Sequence, residues 1–377
     1  MANILQSNAW ADFQRNLGHR VFQASGDGWR YLAVLEGGRL GRYLYCPYGP
    51  EAGTPQAFEE ALEHLVRTAR EERCWFVRVE PVDAAVTDGL ETPEASLRRR
   101  GLRPAPRQVQ PGHTQVIDLT QDEDAILKDM KSTNRNLHRN IAKKGVTFTA
   151  STDPGDVDVL LGFLDATAER KDFTRQQDAY LREAARTLMP LGAAVLYVAR
   201  LDGQPIGASL VYDSDDTRTY AHAAMDFEHR KLSAGIPLVV RMVLDARQKG
   251  LRRFDLFGTA PEGADPEHAW HGFTKFKKSF GGRPEAYPGP GTCRWAAAGT
   301  RPTPACAPPA RRPPRRAGSS RECPGGSARP SPTAGTPERI GTDGAPPAGA
   351  LRPRRPPARR PRRSRTEAPE ATQRRGI

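Results

Sequence analysis

The sequence predicts an α+β protein made of a duplicated unit and followed by a tail that does not fold. Three observations predict this. Period-2 apolar runs alternate with amphipathic runs of period 3.6 through the first 290 residues. The order hairpin, helix, strand occurs twice, with a join near residue 150. From Gly291 onward there are 19 arginines, no lysine, five acids and 17 of the 34 prolines. So few large apolar residues cannot offset the chain entropy of folding. The expected layout is 1–150, 151–290 and a disordered, low-complexity Pro/Arg tail over 291–377.

Composition narrows the function classes. The formal charge of +13 is carried by that tail, which holds +14 and leaves about −1 for the first 290 residues. A near-neutral body must grip any nucleic acid through a local patch or through the tail. The start, "MANILQSNAWADFQRNL", is polar and unlike a signal peptide, and no apolar run approaches the ~18 residues that span a bilayer. Of the five cysteines, only Cys46 and Cys74 precede Gly291, without metal-site spacing, which fits a reducing cytosol. His268 and His271 in "HAWH" lack the carboxylate or thiol companions of a zinc site. No metal is expected.

Each element has a local reason. In "SNAWADFQRNLG" a Ser/Asn cap precedes a helix with Trp10, Phe13 and Leu17 on one face. "RYLAVLEGGRLGRYLYCPYGP" is two strand-like runs around Gly-Gly, a hairpin. "PQAFEEALEHLVRTAREER" aligns Phe58, Leu62, Leu65 and Ala69 along a helix. "CWFVRVEP" is a buried strand stopped by Pro81, "PEASLRRRG" a short helix, and "TQVIDL" a strand closing the first half. Next, "DAILKDMKSTNRNLHRNIAKKG" is largely helical and "VTFTAS" a strand. Two helices follow, "DVDVLLGFLDATAERKD" and "QQDAYLREAARTLM". The hairpin "AAVLYVARLDGQPIGASLVYD" turns at "LDGQ". "TRTYAHAAM", "GIPLVVRMVLDARQKG" and "RRFDLFG" are strand, helix and strand.

The second half resembles a GNAT acyltransferase domain in its hairpin, its "Y.HAA" strand and the strand after "ARQKG". An acetyl-CoA enzyme of that kind needs an Arg/Gln-x-x-Gly-x-Gly/Ala loop whose amides grip pyrophosphate at a helix N-terminus. Here the place reads "HRKLSAGIPLVV": one glycine remains and Pro237 removes a donor. A GNAT fold without its coenzyme A loop is similar to the FemABX family of peptidoglycan-bridge aminoacyltransferases, along nearly all of residues 4–289. The residues that carry the resemblance are "LQSNAWADFQ", "YCPYGP", "FVRVEP", "PGHTQVIDL", "MKSTNRNLHRNIAKKGV", "YAHAAMDFEHRKLSAG", "RRFDLFG" and "GFTKFKKSFGG", in that order.

The resemblance implies two tandem GNAT-like domains, the first binding a cell-wall precursor and the second facing aminoacyl-tRNA. It implies transfer of an amino acid from aminoacyl-tRNA, a co-substrate with no further cofactor. The acceptor is the stem-peptide side-chain amine of lipid II or UDP-MurNAc-pentapeptide. Such proteins are cytoplasmic and touch the inner membrane face when lipid II is the acceptor. The helical-hairpin arm of some members is missing here. Members usually finish with a strand returning to the first domain, whereas this sequence passes into the tail at "PGPGTCRW".

Aminolysis of an ester forms a tetrahedral oxyanion, which calls for a positive group aimed at it. The family's "FK" pair falls on Phe276 and Lys277, so Lys277 is expected to serve the oxyanion and Phe276 to shape the tRNA-terminus pocket. Precursor contacts carried over from the family fall on Arg42 and Tyr48 in the first half and on Tyr180 in "FTRQQDAY". The family's Arg position there falls on Gln176, and the candidate Arg175 stands one residue away. Asp118 and Tyr220 are further polar candidates. Lys131, Arg135, Arg139 and Lys143 recur every four residues, a stripe suited to phosphates. Alternative readings are an acyl-CoA N-acyltransferase, or an inactive GNAT-like protein that binds nucleic acid.

Overall fold

A computed structural model of the chain describes residues 3–38, 41–82, 92–171, 176–265, 267–268 and 270–295. The side chain of Ser7 accepts the amide of Trp10 and opens α1 (Asn8–Asn16), which buries Trp10 and Phe13. β1 (Val21–Gly26), β2 (Trp29–Gly38) and β3 (Gly41–Cys46) run antiparallel, so the predicted hairpin gains an outer strand. The short β4 (Glu51–Ala52) also pairs with β2. Thr54 caps α2 (Pro55–Glu71), where Pro55 sits in the first turn and its missing N–H leaves no bond unmade. β5 (Phe76–Val79) lies parallel to β3, and α3 (Pro93–Arg99) leads to β6 (Arg103–Pro104).

β7 (His113–Asp118) then enters a second sheet. The helix expected after it is two, α4 (Glu123–Asp129) and α5 (Ser132–Asn140), because Met130 and Lys131 take extended backbone angles between them. After β8 (Val146–Ser151) come α6 (Val157–Lys171), α7 (Asp178–Leu188), β9 (Ala194–Leu201) and β10 (Gln204–Asp213). Asp202 and Gly203 both have positive φ, 48° and 81°, which matches the tight turn read from "LDGQ". β11 (Thr217–Met225), α8 (Gly235–Gln248), β12 (Arg253–Asp255), α9 (His271–Lys278), β13 (Arg283–Ala286) and β14 (Gly291–Arg294) complete the order.

The first sheet runs β1-β2-β3-β5-β14-β6 and the second β13-β7-β12-β11-β10-β9-β8. Two expectations are corrected by this. The join near residue 150 fails because β7 is hydrogen-bonded between β12 and β13 of the second sheet. The tail does not begin at Gly291, because β14 returns to the first sheet, pairs with both β5 and β6, and buries Cys293. That is the closing strand the sequence was read as lacking. From residue 296 onward the expected tail lies outside the described residues.

The halves share apolar packing. Trp10 and Phe13 of α1 join Leu160 of α6, Leu188 of α7 and Leu210 of β10 in one core. The second sheet also contains a buried ion pair: Arg218 donates twice to Asp213 at 2.7 Å and once to the Tyr197 hydroxyl at 2.6 Å. Among the described residues, no helix is long and apolar enough to cross a membrane.

Candidate active site at Lys277

The parallel pairing of β11 with β12 stops at Thr219 and Asp255, yet β11 continues to Met225. The strands part there, and the chain after β12 turns away through Phe257 and Gly258. α9 lies beside that turn. Its sequence places one lysine inward: Lys275 and Lys278 are exposed, whereas Lys277 is half-buried. The Lys277 ammonium donates to the carbonyls of Phe257 at 3.0 Å and Gly258 at 2.7 Å. Burial lowers its pKa from 10.5 to about 8, a shift that the nearby Asp255 charge partly opposes. An ammonium has three protons, so two on carbonyls leave one for a substrate.

The first half reaches this place through Tyr48. Its ring meets Phe257 edge-on at 6.4 Å and Tyr287 at 5.4 Å. Its hydroxyl donates to the Pro111 carbonyl at 2.9 Å, and burial raises its pKa well above 10. Tyr48 also lines a small cleft with Glu80, Gln110 and Pro111. Phe276 packs edge-on against Phe280, 5.0 Å between centroids, at the margin of the second core. Its backbone neighbour thus faces the turn while its own ring anchors the helix.

The remaining expected residues do not gather here. Arg42 stands at the start of β3, four residues or about 13 Å of strand before Cys46, the strand end nearest Tyr48. Asp118 ends β7 at the far edge from His113, whose carbonyl accepts the amide of Thr259 near the turn. There it accepts the backbone and side-chain donors of Thr120, which hold its carboxyl below the usual range. It lines a separate cavity of about 240 Å³ with Arg252 and Arg283. Arg135 turns back onto the C-terminal carbonyls of α4, at Lys128 (2.9 Å) and Met130, and so caps a helix. The stripe it belonged to is interrupted, since α5 ends at Asn140, before Lys143. Tyr180 packs edge-on against Phe13 at 5.1 Å, and burial pushes its pKa to about 12. Tyr220 lies on β11 just past the point where the strands part, against the second core, and burial raises its pKa. Arg175 lies outside the described residues.

A larger cavity, about 550 Å³, opens between the N-terminal segment and the β10–β11 turn, lined by Ser7, Gln23, Arg30, Asp215 and Lys249. None of the expected site residues lines it. Sequence reading missed Asp255, Thr114 and the Phe257–Gly258 turn. A signal was present: "RRFDLFG" places one carboxylate between Phe254 and Leu256 in an apolar strand.

The pyrophosphate position is also on view. α8 opens at Ala234 without a side-chain cap, and Pro237 occupies its third residue, where an amide would otherwise point outward. Residues 128–270 match the acetyltransferase (GNAT) domain family, a span that stops short of Lys277. Lipid II:glycine glycyltransferase of Staphylococcus saprophyticus is 24% identical over 157 residues, 40% of this chain. The match spans 37% of that relative's length. The crystal structure of FemX superposes with a TM-score of 0.68 at 17% identity, over 78% of this chain and 92% of that one. The chain shares its fold with FemX. A more distant likeness is the C-terminal domain of a putative lysylphosphatidylglycerol synthetase from Agrobacterium fabrum. It has TM-score 0.53 and 16% identity, over 77% of this chain and 88% of that one. The fold is that of paired GNAT-like units, held together by the exchange of β7 and β14.

Proposed function

We propose that the protein transfers an amino acid from aminoacyl-tRNA to the side-chain amine of a peptidoglycan precursor, either lipid II or UDP-MurNAc-pentapeptide. The amine attacks the ester carbonyl, and the carbonyl oxygen becomes an oxyanion facing the remaining proton of Lys277. Collapse breaks the ester C–O bond, forms the amide and releases the tRNA terminal hydroxyl, which takes up the proton the amine gives up. Phe276 stays beside the tRNA terminus, and Tyr48 contributes to the acceptor side. With lipid II as acceptor, the protein works in the cytoplasm against the inner membrane face.

The observation that carries this reading is a half-buried ammonium tied to two backbone carbonyls, at the point where β11 and β12 separate. Pro237 in the first turn of α8 speaks against an acyl-CoA donor, since it lacks an amide a pyrophosphate would use. The test is a transfer assay on the full chain with each charged tRNA, and separately with acetyl-CoA, in the presence of a lysine-containing precursor. Mass analysis of the acceptor should show one added amino acid with a charged tRNA and no acetylation. Acetylation alone would overturn the reading.

A further inference from the structure

Asp255 is a carboxyl placed in the protein interior. It ends β12, aligned with Thr219 of β11 on one side and Val116 of β7 on the other, and it is buried. A buried carboxylate is costly unless donors surround it. Its Oδ1 accepts the hydroxyl of Thr114 from β7 and the amide of Phe257, the latter at 2.7 Å. The second bond spans two residues, the side-chain turn that Asp makes with its own backbone.

That bond bears on the site because Phe257 has a φ of 60°, in the left-handed region. A bulky residue stays there only when its surroundings hold it. Held that way, the successive carbonyls of Phe257 and Gly258 both reach Lys277. We propose that Asp255 is a positioning residue of this centre. With Thr114 it fixes the Phe257–Gly258 turn, so that two ammonium protons of Lys277 stay on the backbone and the third meets the oxyanion. This rests on the role given to Lys277 above.

The charged groups around the pair are few. Desolvation raises the Asp255 pKa, the hydrogen bonds from Thr114 and Phe257 and the charge of Arg253 oppose that rise, and Glu285 adds to it. Besides burial, the Asp255 charge raises the pKa of Tyr48. Asp255 is the charge that raises the pKa of Lys277 against its burial. Removing the carboxylate should therefore release Lys277's proton at lower pH and loosen its position.

The experiment uses the full chain with Asp255→Asn and the nearly isosteric Thr114→Val. Lys277 is titrated directly, by labelling its amine with acetic anhydride across pH and quantifying the modified peptide by mass spectrometry. Transfer kinetics and melting curves are recorded alongside. Asp255→Asn should lower the labelling midpoint and reduce kcat about tenfold or more, with KM for the precursor within about twofold. The falling limb of the transfer pH profile should move down with the midpoint. Thr114→Val keeps the carboxylate and so should leave the labelling midpoint near the parent's, while lowering kcat about threefold because the turn loses a support.

An unchanged midpoint in Asp255→Asn overturns the proposal, as does a midpoint that moves while the transfer profile stays in place. Should that variant not fold, Thr114→Val decides by kcat: turnover equal to the parent's in a folded protein overturns the proposal. A parent protein that transfers nothing from any charged tRNA removes the functional reading instead. The labelling then still decides whether Asp255 governs Lys277.

Discussion

Lys277 and Gly258 are joined by a 2.7 Å bond from ammonium to backbone carbonyl, between a helix and a turn nineteen residues apart in sequence. The bond fixes where one charge stands relative to the gap between two strands.

Removing the charge should remove turnover. Lys277→Met is expected to lower kcat on the order of 10²-fold, with the precursor's KM little changed. Steady-state transfer kinetics check this, and a variant within about threefold of the parent would show that Lys277 serves no oxyanion.

The pH response follows from a pKa near 8 for Lys277. Oxyanion stabilisation needs the protonated form, so transfer should fall as pH rises through about 8. Lys277→Arg, though slower, should lack that limb because arginine stays charged. The stability sign is opposite. Between about 8 and the ordinary 10.5, the unfolded chain binds more protons at this residue than the folded one. The melting temperature of the parent relative to Lys277→Met should therefore rise from pH 8 to pH 10, as thermal melts in matched buffers would reveal.

Gly258 tests the turn. A Cβ there would lie 3.1 Å from Pro111 and 3.2 Å from Trp270, tighter than side chains ordinarily tolerate. Gly258→Ala should push the carbonyl off Lys277, lowering kcat about tenfold while the protein still folds. Equal losses of activity and of melting temperature would point to general unfolding instead.

β14 can be removed cleanly. Ending the chain after Trp295 keeps the strand, and ending it after Pro290 takes away its pairing with β5 and β6. The shorter form should be less stable than the longer one by about 3 kcal/mol or more in urea titration. Equal stability would mean the first sheet does not depend on its closing strand.

What could be read beforehand was local. The Ser7 cap, the α2 face of Phe58 and Leu65, and the Asp202–Gly203 turn each follow from neighbouring residues. The "FK" lysine was singled out through family likeness. The spacing of Phe276 and Phe280 put the lysines on the wet face, so the turn of Lys277 onto Phe257 and Gly258 was not legible. The sheet to which Asp118 belongs was not legible, because strand pairing is decided by residues far away, here Arg253 and Val116's partner Asp255. Arg135 misled for a similar reason. Helical spacing put it in a stripe, but the carbonyls that engage it belong to the preceding helix. Asp255 was passed over because a single carboxylate in a strand carries no periodic signal.

The exchange of strands has a consequence for synthesis. β14 occupies the place between β5 and β6, and it is made after every strand of the second sheet. On the ribosome, the first sheet must wait half-zipped, with an open edge at β5, until the second has emerged. Nascent chains stalled before Gly291 should then be easy prey for proteases in their N-terminal portion.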